Sequence, residues 1–304
     1  MDKFDRAMAA IALKHHSVIT LDDVRAAGGN THHAMARVKA GRWIELYEGV
    51  YRLAGAPWTY QGQVLAAVRA AGDGAAASFF CAARLLGFGF PRAAVELSVP
   101  RARFFRPRGV TVHTSRDLDR CTIVVVDGIP VTDAARTLLD LMSKLKLPKA
   151  RRDAVEAARR ADLVDWHDLV VCLAAHARKG RRGVSRLREV IAAGAVNDGI
   201  TETDSELIAL ALLREWGFPE PVLQHRVYDA DGELVAEMDF AYPDSKKNIE
   251  IDGSVHLQPE VKQKDEARDF VLREFYDWKV RRIWWEIPVH QPRKFIEIVR
   301  QTLG

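Results

Sequence analysis

Three carboxylates late in the chain have the types and spacing that metal chemistry needs. Asp239 sits in the otherwise apolar run Met238-Asp239-Phe240-Ala241-Tyr242, and Glu250 and Asp252 alternate with Ile249 and Ile251. Strand side chains repeat every two residues, so Glu250 and Asp252 share one face while the isoleucines turn to the core. The connection Pro243-Asp244-Ser245-Lys246-Lys247 is short enough to bring Asp239 onto a neighbouring strand. Three carboxylates within a few ångströms repel one another unless a cation lies between them. Hard oxygen ligands suit Mg²⁺, with Mn²⁺ as a substitute, and such a metal keeps several waters and takes a phosphate oxygen. It lowers the pKa of a bound water and stabilises charge building on phosphorus. His256, just beyond Gly253, has the chemistry of a general base or a leaving-group contact. The competing reading is an edge cluster of solvated acids, with Gly253 a strand terminator.

The elements around these residues form a small α/β unit. A helix over 201–216 is capped by Thr201 and stopped by Gly217. Strands are predicted over 222–229 and 234–242, divided by the turn Asp229-Ala230-Asp231-Gly232. A third strand over 248–252, a helix over 259–276, a strand over 279–285 and a helix from 292 follow.

The rest of the chain is differently charged. Residues 1–200 carry a net charge of +11 and residues 201–304 a net −7, within an overall +4. A basic first part fits a polyanionic partner, although uneven solvated surface would give the same sum. A helix over 3–15 comes first, then a short one opened by Thr20 and ended by Gly28-Gly29. A third, over 31–40, is capped by Asn30 or Thr31, and a hairpin over 43–53 turns at Glu48-Gly49. That is the order of a winged helix-turn-helix, in which the second helix of the pair enters the major groove. His32, His33, Arg37 and Lys39 are then the candidate contacts to double-stranded DNA, against the alternative of a three-helix mini-domain with solvated basic residues. Helices over 60–71 and 77–87 and strands over 95–99, 110–114, 121–126 and 129–131 follow. The loop Pro100–Arg108 holds Arg101, Arg103 and Arg106 beside Phe104 and Phe105. It either grips phosphates and stacks on a base, or tucks its phenylalanines into the core. Helices over 132–143, 149–161, 165–177 and 184–193 lead to an aperiodic stretch near 192–199, the expected boundary.

At 304 residues, with 48% hydrophobic and 28% charged content, the chain is globular in composition and long enough for two or three domains. No apolar run approaches the ~20 residues of a membrane span. The charged start argues against a secretory signal. Cys81, Cys121 and Cys172 are odd in number and widely spaced, which argues for a reducing cytoplasm, without disulfides or a structural zinc.

Several of these stretches resemble known families. Met238–Pro243, Ile249-Glu250-Ile251-Asp252-Gly253-Ser254-Val255-His256, Asp265-Glu266-Ala267-Arg268-Asp269 and Trp278-Lys279-Val280 are similar to domains related to very-short-patch-repair endonucleases, in the PD-(D/E)XK nuclease superfamily. Residues 1–195 resemble the AbiEi-type antitoxin region. The matching pieces there are Glu48–Arg52, Ala82–Gly87, Asp127–Thr132 and Ala135–Leu141. Together these imply a multidomain chain of mixed α+β and α/β type. It comprises a winged helix-turn-helix over 1–56, an α/β middle region over 57–195 and a restriction-endonuclease-like α/β domain over 200–304.

The resemblance implies that Asp239, Glu250 and Asp252 bind the metal and that His256 is the family's histidine. It also implies that Asp265 and Arg268 support the site or reach a phosphate. Two departures stand out. The superfamily's usual lysine position holds Asp252, which leaves Lys246 or Lys247 as candidate replacements. The first helix reads Ser205-Glu206-Leu207-Ile208, so its acid is Glu206, or Glu202 one turn earlier. The expected activity is Mg²⁺-dependent phosphodiester hydrolysis of DNA. A double-strand break would need a homodimer or sequential nicks. The alternative is a DNA-binding regulator, the antitoxin partner of a toxin-like protein encoded nearby, with an inactive nuclease fold.

Overall fold

The computed structural model describes residues 3–100, 105–194, 201–253 and 259–304, with side chains not described for Glu202 and 259–266. The chain divides into two compact units, Met1–Val164 and Asp165–Gly304. The division falls about thirty residues before the aperiodic stretch that reads as a boundary, because the two helices after Asp165 belong with the C-terminal unit.

The first unit opens with α1 (Lys3–Lys14), β1 (Val18–Thr20), α2 (Leu21–Ala26), α3 (Thr31–Lys39), β2 (Trp43–Tyr47) and β3 (Val50–Leu53). Thr20 and Asn30 each close a capping box, with Asp23 and His33 at the third helical position. These local bonds fix both helix starts. The strands form an antiparallel sheet in the order β1-β3-β2, and Met8, Ala12, Ile19, Val24, Ala34, Trp43 and Tyr51 fill the space between sheet and helices. Gly29 is there for room: a Cβ would lie 2.6 Å from Phe4 and 2.9 Å from Val24.

The unit continues with α4 (Tyr60–Ala71), β4 (Ala76–Ala77), α5 (Phe79–Leu85), β5 (Val95–Pro100), β6 (Val110–Ser115), β7 (Ile123–Val126), β8 (Ile129–Thr132), α6 (Ala134–Met142) and α7 (Pro148–Arg160). Its mixed five-stranded sheet runs β6-β5-β4-β8-β7. Arg136 of α6 is nearly inaccessible and spans Asp140 at 3.0 Å and Asp117 at 3.3 Å, a buried ionic tie between the helix and the end of the sheet.

The second unit contains α8 (Trp166–His176), α9 (Val184–Gly194), α10 (Glu202–Trp216), β9 (Val222–Tyr228), β10 (Leu234–Tyr242), β11 (Lys247–Asp252), α11 (Pro259–Tyr276), β12 (Lys279–Trp284), α12 (Glu286–His290) and α13 (Pro292–Leu303). The sheet runs β12-β11-β10-β9. The β9–β10 and β10–β11 pairs are antiparallel, and β12 returns parallel to β11 after α11. Helix α10 packs on β11, α12 and α13, and α11 packs on β10 and β12. Met238, Leu272 and Trp278 anchor the core between sheet and α11. Mixed α/β architecture is therefore what the chain adopts in both units. Among the described residues, no helix is long and apolar enough to cross a membrane, and all three cysteines are free.

Candidate active site

Strand alternation assembles the site. Ile249 and Ile251 are buried on one face of β11, and Asn248, Glu250 and Asp252 share the other. Phe240 pairs with Ile249 across the antiparallel ladder, so the next position sets Asp239 opposite Glu250. Beyond the last paired residues, the Ile251 N–H donates to Asp239 Oδ2 at 3.0 Å, which holds this carboxylate beside the stretch between Glu250 and Asp252. The expected sharing of a face by Glu250 and Asp252, with Asp239 on the adjacent strand, describes this arrangement.

The cation among these carboxylates is an arginine. In the parallel β11–β12 register Glu250 faces Arg282. Arg282 Nη2 lies 3.0 Å from Glu250 Oε2, and Nη1 donates to Asp252 Oδ1 at 2.9 Å. Its Nε and Nη2 donate to the two oxygens of Asp269 on α11, at 2.8 and 2.9 Å. Arg268, also on α11, donates to Glu250 Oε2 at 3.0 Å, and Asn248 Nδ2 donates to Glu250 Oε1 at 2.9 Å. Only 5% of Glu250 is exposed. Burial pushes its carboxyl up to about 7, and Asp239 and Asp269 add to the rise, against the pull of Arg282 and Arg268. For Arg282, burial works against the charge, and the carboxylates of Asp269, Glu250 and Asp252 outweigh it, so the guanidinium is held above its ordinary value.

These contacts revise several expectations. Three carboxylates do not stand as a ready-made metal cage: among the described residues, no group of three or more His, Cys, Asp or Glu side chains is arranged to hold an ion. Guanidiniums draw Glu250 and Asp252 onto themselves instead. The donor chemistry still fits a hard divalent cation. Asp239, Glu250 and Asp252 supply carboxylate oxygens, and the fully buried Asn248 holds an amide oxygen with no hydrogen-bond partner among the described residues. Arg268 is turned to Glu250 rather than outward to a phosphate. Neither Lys246 nor Lys247 replaces the missing lysine. Lys246 Nζ lies 5.2 Å over the Trp278 ring, and Lys247 Nζ donates to the Leu303 carbonyl at 2.9 Å. Glu206 is half-buried on α10, the helix that packs on β11. His256 and the side chains of Glu202 and Asp265 lie outside the described residues.

Residues that sequence reasoning missed are Asn248, Asp269 and Arg282. Asn248 obeys the same alternation as Glu250 and could have been found by it. Asp269 adjoins Arg268. Arg282 is invisible without the cross-strand register.

In the first unit, the four residues expected on the DNA face of α3 separate. His32 and Lys39 are exposed. His33 is exposed, but its Nδ1 lies 2.8 Å from Asn30 Oδ1 inside the capping box. Arg37 is not on the surface. Its side chain is 8% exposed, its Nε donates to Asp5 Oδ1 at 2.7 Å and its guanidinium lies 4.4 Å over Phe4. The amphipathic spacing of α3 placed it outward, whereas α1 packs across that face and supplies both partners. The hairpin side is acidic: an open groove of about 790 Å³ is lined by Asp22, Asp23, Glu45, Glu48 and Asp73 as well as by Arg25 and Arg69. Arg106 is exposed, Phe105 packs edge-on against Tyr47 at 6.0 Å, and Arg101, Arg103 and Phe104 lie outside the described residues. Phe105 thus takes the core alternative.

Comparison with known proteins names no family. No family model matches the chain, and no curated protein matches it. Among solved structures, that of the Rv2827c protein from Mycobacterium tuberculosis is similar with a TM-score of 0.42 and 13% identity, covering 75% of this chain and 89% of that one. The function has to be argued from this chain's own side chains.

Proposed function

We propose that the chain is a metal-dependent DNA endonuclease of PD-(D/E)XK type, whose basic first unit supplies affinity for double-stranded DNA through a winged helix-turn-helix. The observation that carries this reading is the Ile251 N–H bond to Asp239 Oδ2 at 3.0 Å, which gathers Asp239 with Glu250 and Asp252 on one face of a sheet covered by helices. Asp239, Glu250 and Asp252 would hold Mg²⁺ or Mn²⁺, and the bound ion would supply an activated water and charge stabilisation at phosphorus. Asp239 is oriented by the backbone. Glu250 is oriented by Asn248 and the two arginines, which limit the freedom of a metal ligand before any substrate arrives. His32 and Lys39 on α3, with the exposed Arg106, would meet phosphates.

The test is conversion of supercoiled plasmid by the full chain in Mg²⁺, in Mn²⁺ and in EDTA. Nicked or linear product in either metal and none in EDTA is expected. Salt-sensitive plasmid binding without product in either metal would overturn the reading.

A second reading is favoured by one observation, the occupation of Glu250 and Asp252 by Arg282. In a DNA-binding regulator or antitoxin with an inactive nuclease fold, that arginine would be a permanent structural replacement for the metal.

A further inference from the structure

We propose that Arg282 and a divalent cation exclude one another at the Glu250–Asp252 pair, with the arginine holding the place in the free protein and keeping only its contact with Asp269 when metal binds. The proposal rests on reading these carboxylates as a metal centre, and it goes beyond that reading by assigning the residue that controls occupancy.

One guanidinium is shared between the strand and the helix. Arg282 reaches Glu250 Oε2 with Nη2 at 3.0 Å and Asp252 Oδ1 with Nη1 at 2.9 Å, so its guanidinium spans the two carboxylates. The same side chain makes a two-point contact with Asp269, through Nε at 2.8 Å and Nη2 at 2.9 Å. Two-point guanidinium–carboxylate contacts are directional and strong. Asp269 lies on α11, whereas Glu250 and Asp252 lie on β11. Contacts to the strand can therefore break while the contact to the helix persists, and the guanidinium is never left in a dry site without a carboxylate.

Charge and ligand chemistry say what would replace it. Glu250, Asp252 and Asp269 face two guanidiniums, Arg268 and Arg282, and Asp239 stands beside them on the Ile251 N–H. The Asn248 amide is fully buried against Glu250, and its Oδ1 has no hydrogen-bond partner among the described residues. A buried amide oxygen left unsatisfied is costly, and a hard cation is one partner that would satisfy it. A divalent ion at Glu250 and Asp252 would meet the Arg282 charge at contact distance, so the two cannot share the position.

The experiment is Mn²⁺ titration of the EDTA-stripped full chain without DNA, read by calorimetry and by the free-ion electron paramagnetic resonance signal. Wild type is set beside Arg282→Met, Arg282→Lys and Asp269→Asn. If the arginine competes, its removal raises the binding-competent fraction, and apparent affinity for Mn²⁺ rises by about tenfold or more in Arg282→Met. Asp269→Asn removes the contact that the arginine keeps and weakens Mn²⁺ binding. Adding Asp239→Ala to Arg282→Met abolishes the gain. Mn²⁺ should also raise the thermal midpoint of Arg282→Met more than that of wild type, by mass action.

Equal Mn²⁺ affinity in wild type and Arg282→Met overturns the proposal, as does tight binding that survives Asp239→Ala. If Arg282→Met does not fold, Asp269→Asn and Arg282→Lys decide the matter: Mn²⁺ affinity unchanged in both refutes it. Failure of the nuclease reading looks different. Arginine-dependent Mn²⁺ binding would remain, with no DNA cut under any condition.

Discussion

Glu250 gives the site a pH signature that can be read without any substrate. Its carboxyl is buried among Asn248, Arg268 and Arg282, and burial raises it from an ordinary 4.5 to about 7. A carboxyl whose folded value is raised holds its proton more tightly in the native state than in the unfolded chain. The stability that Glu250 contributes is therefore greatest below about 4.5, falls as pH rises from there to about 7, and levels off above. At about 1.4 kcal/mol per pH unit of displacement, the loss across that window is about 3 kcal/mol. The perturbation is Glu250→Gln, which removes the titrating proton and keeps most of the volume. Urea unfolding at half-unit intervals from pH 5 to pH 8.5, followed by tryptophan fluorescence, measures the slope. Trp278 is buried in the core of the same unit, which holds five of the chain's seven tryptophans. In wild type the second unit should lose stability over this range, and in Glu250→Gln the loss should shrink to the part that the His167–Asp204 pair contributes. A wild-type stability that stays flat or rises between pH 5 and pH 7, or a slope undiminished in Glu250→Gln, would refute the argument that burial outweighs the two arginines.

Further outcomes follow from individual contacts. Arg136→Met takes the bonded cation from the buried Asp140 and Asp117 carboxylates and should cost the first unit about 3–5 kcal/mol by denaturant titration; a loss under about 1 kcal/mol would contradict the buried tie. His167 Nδ1 lies 2.7 Å from Asp204 Oδ1, and that bond raises the imidazole's pKa. The added stability is present below the ordinary 6.5 and is lost as pH rises through the raised value. By nuclear magnetic resonance His167 should titrate above 6.5, and Asp204→Asn should bring it back; an unmoved midpoint would contradict the pairing. Lys39→Ala should weaken DNA binding and lower the slope of log affinity against log salt by about one, while Arg37→Ala should lower the melting temperature and leave that slope unchanged. The reverse pattern would return Arg37 to the DNA surface.

What the sequence made legible was local. Thr20, Asn30 and Thr201 mark helix starts because a capping side chain bonds a backbone group three residues away, within the same stretch of chain. Glu250 and Asp252 could be set on one face because alternation along a strand needs no partner. What failed depended on another element. Arg37 reads as an outward residue until α1 brings Asp5 and Phe4 against it. Lys246 and Lys247 are close in sequence to the carboxylates, yet Trp278 and the Leu303 carbonyl engage them. Arg282 is thirty residues from Asp252 and meets it only because α11 returns the chain to a parallel strand in one register. A strand of two residues, β4, has too little pattern to be seen at all.

The most direct test of the central claim compares wild type with Asp239→Asn on the same supercoiled plasmid in Mg²⁺ and Mn²⁺, with DNA affinity measured in parallel. The account predicts metal-dependent cutting by wild type, its loss in Asp239→Asn, and DNA affinity within about twofold of wild type, since Asp239 lies in the acidic site and not on the basic unit. Cutting that survives the loss of the Asp239 carboxylate would contradict it.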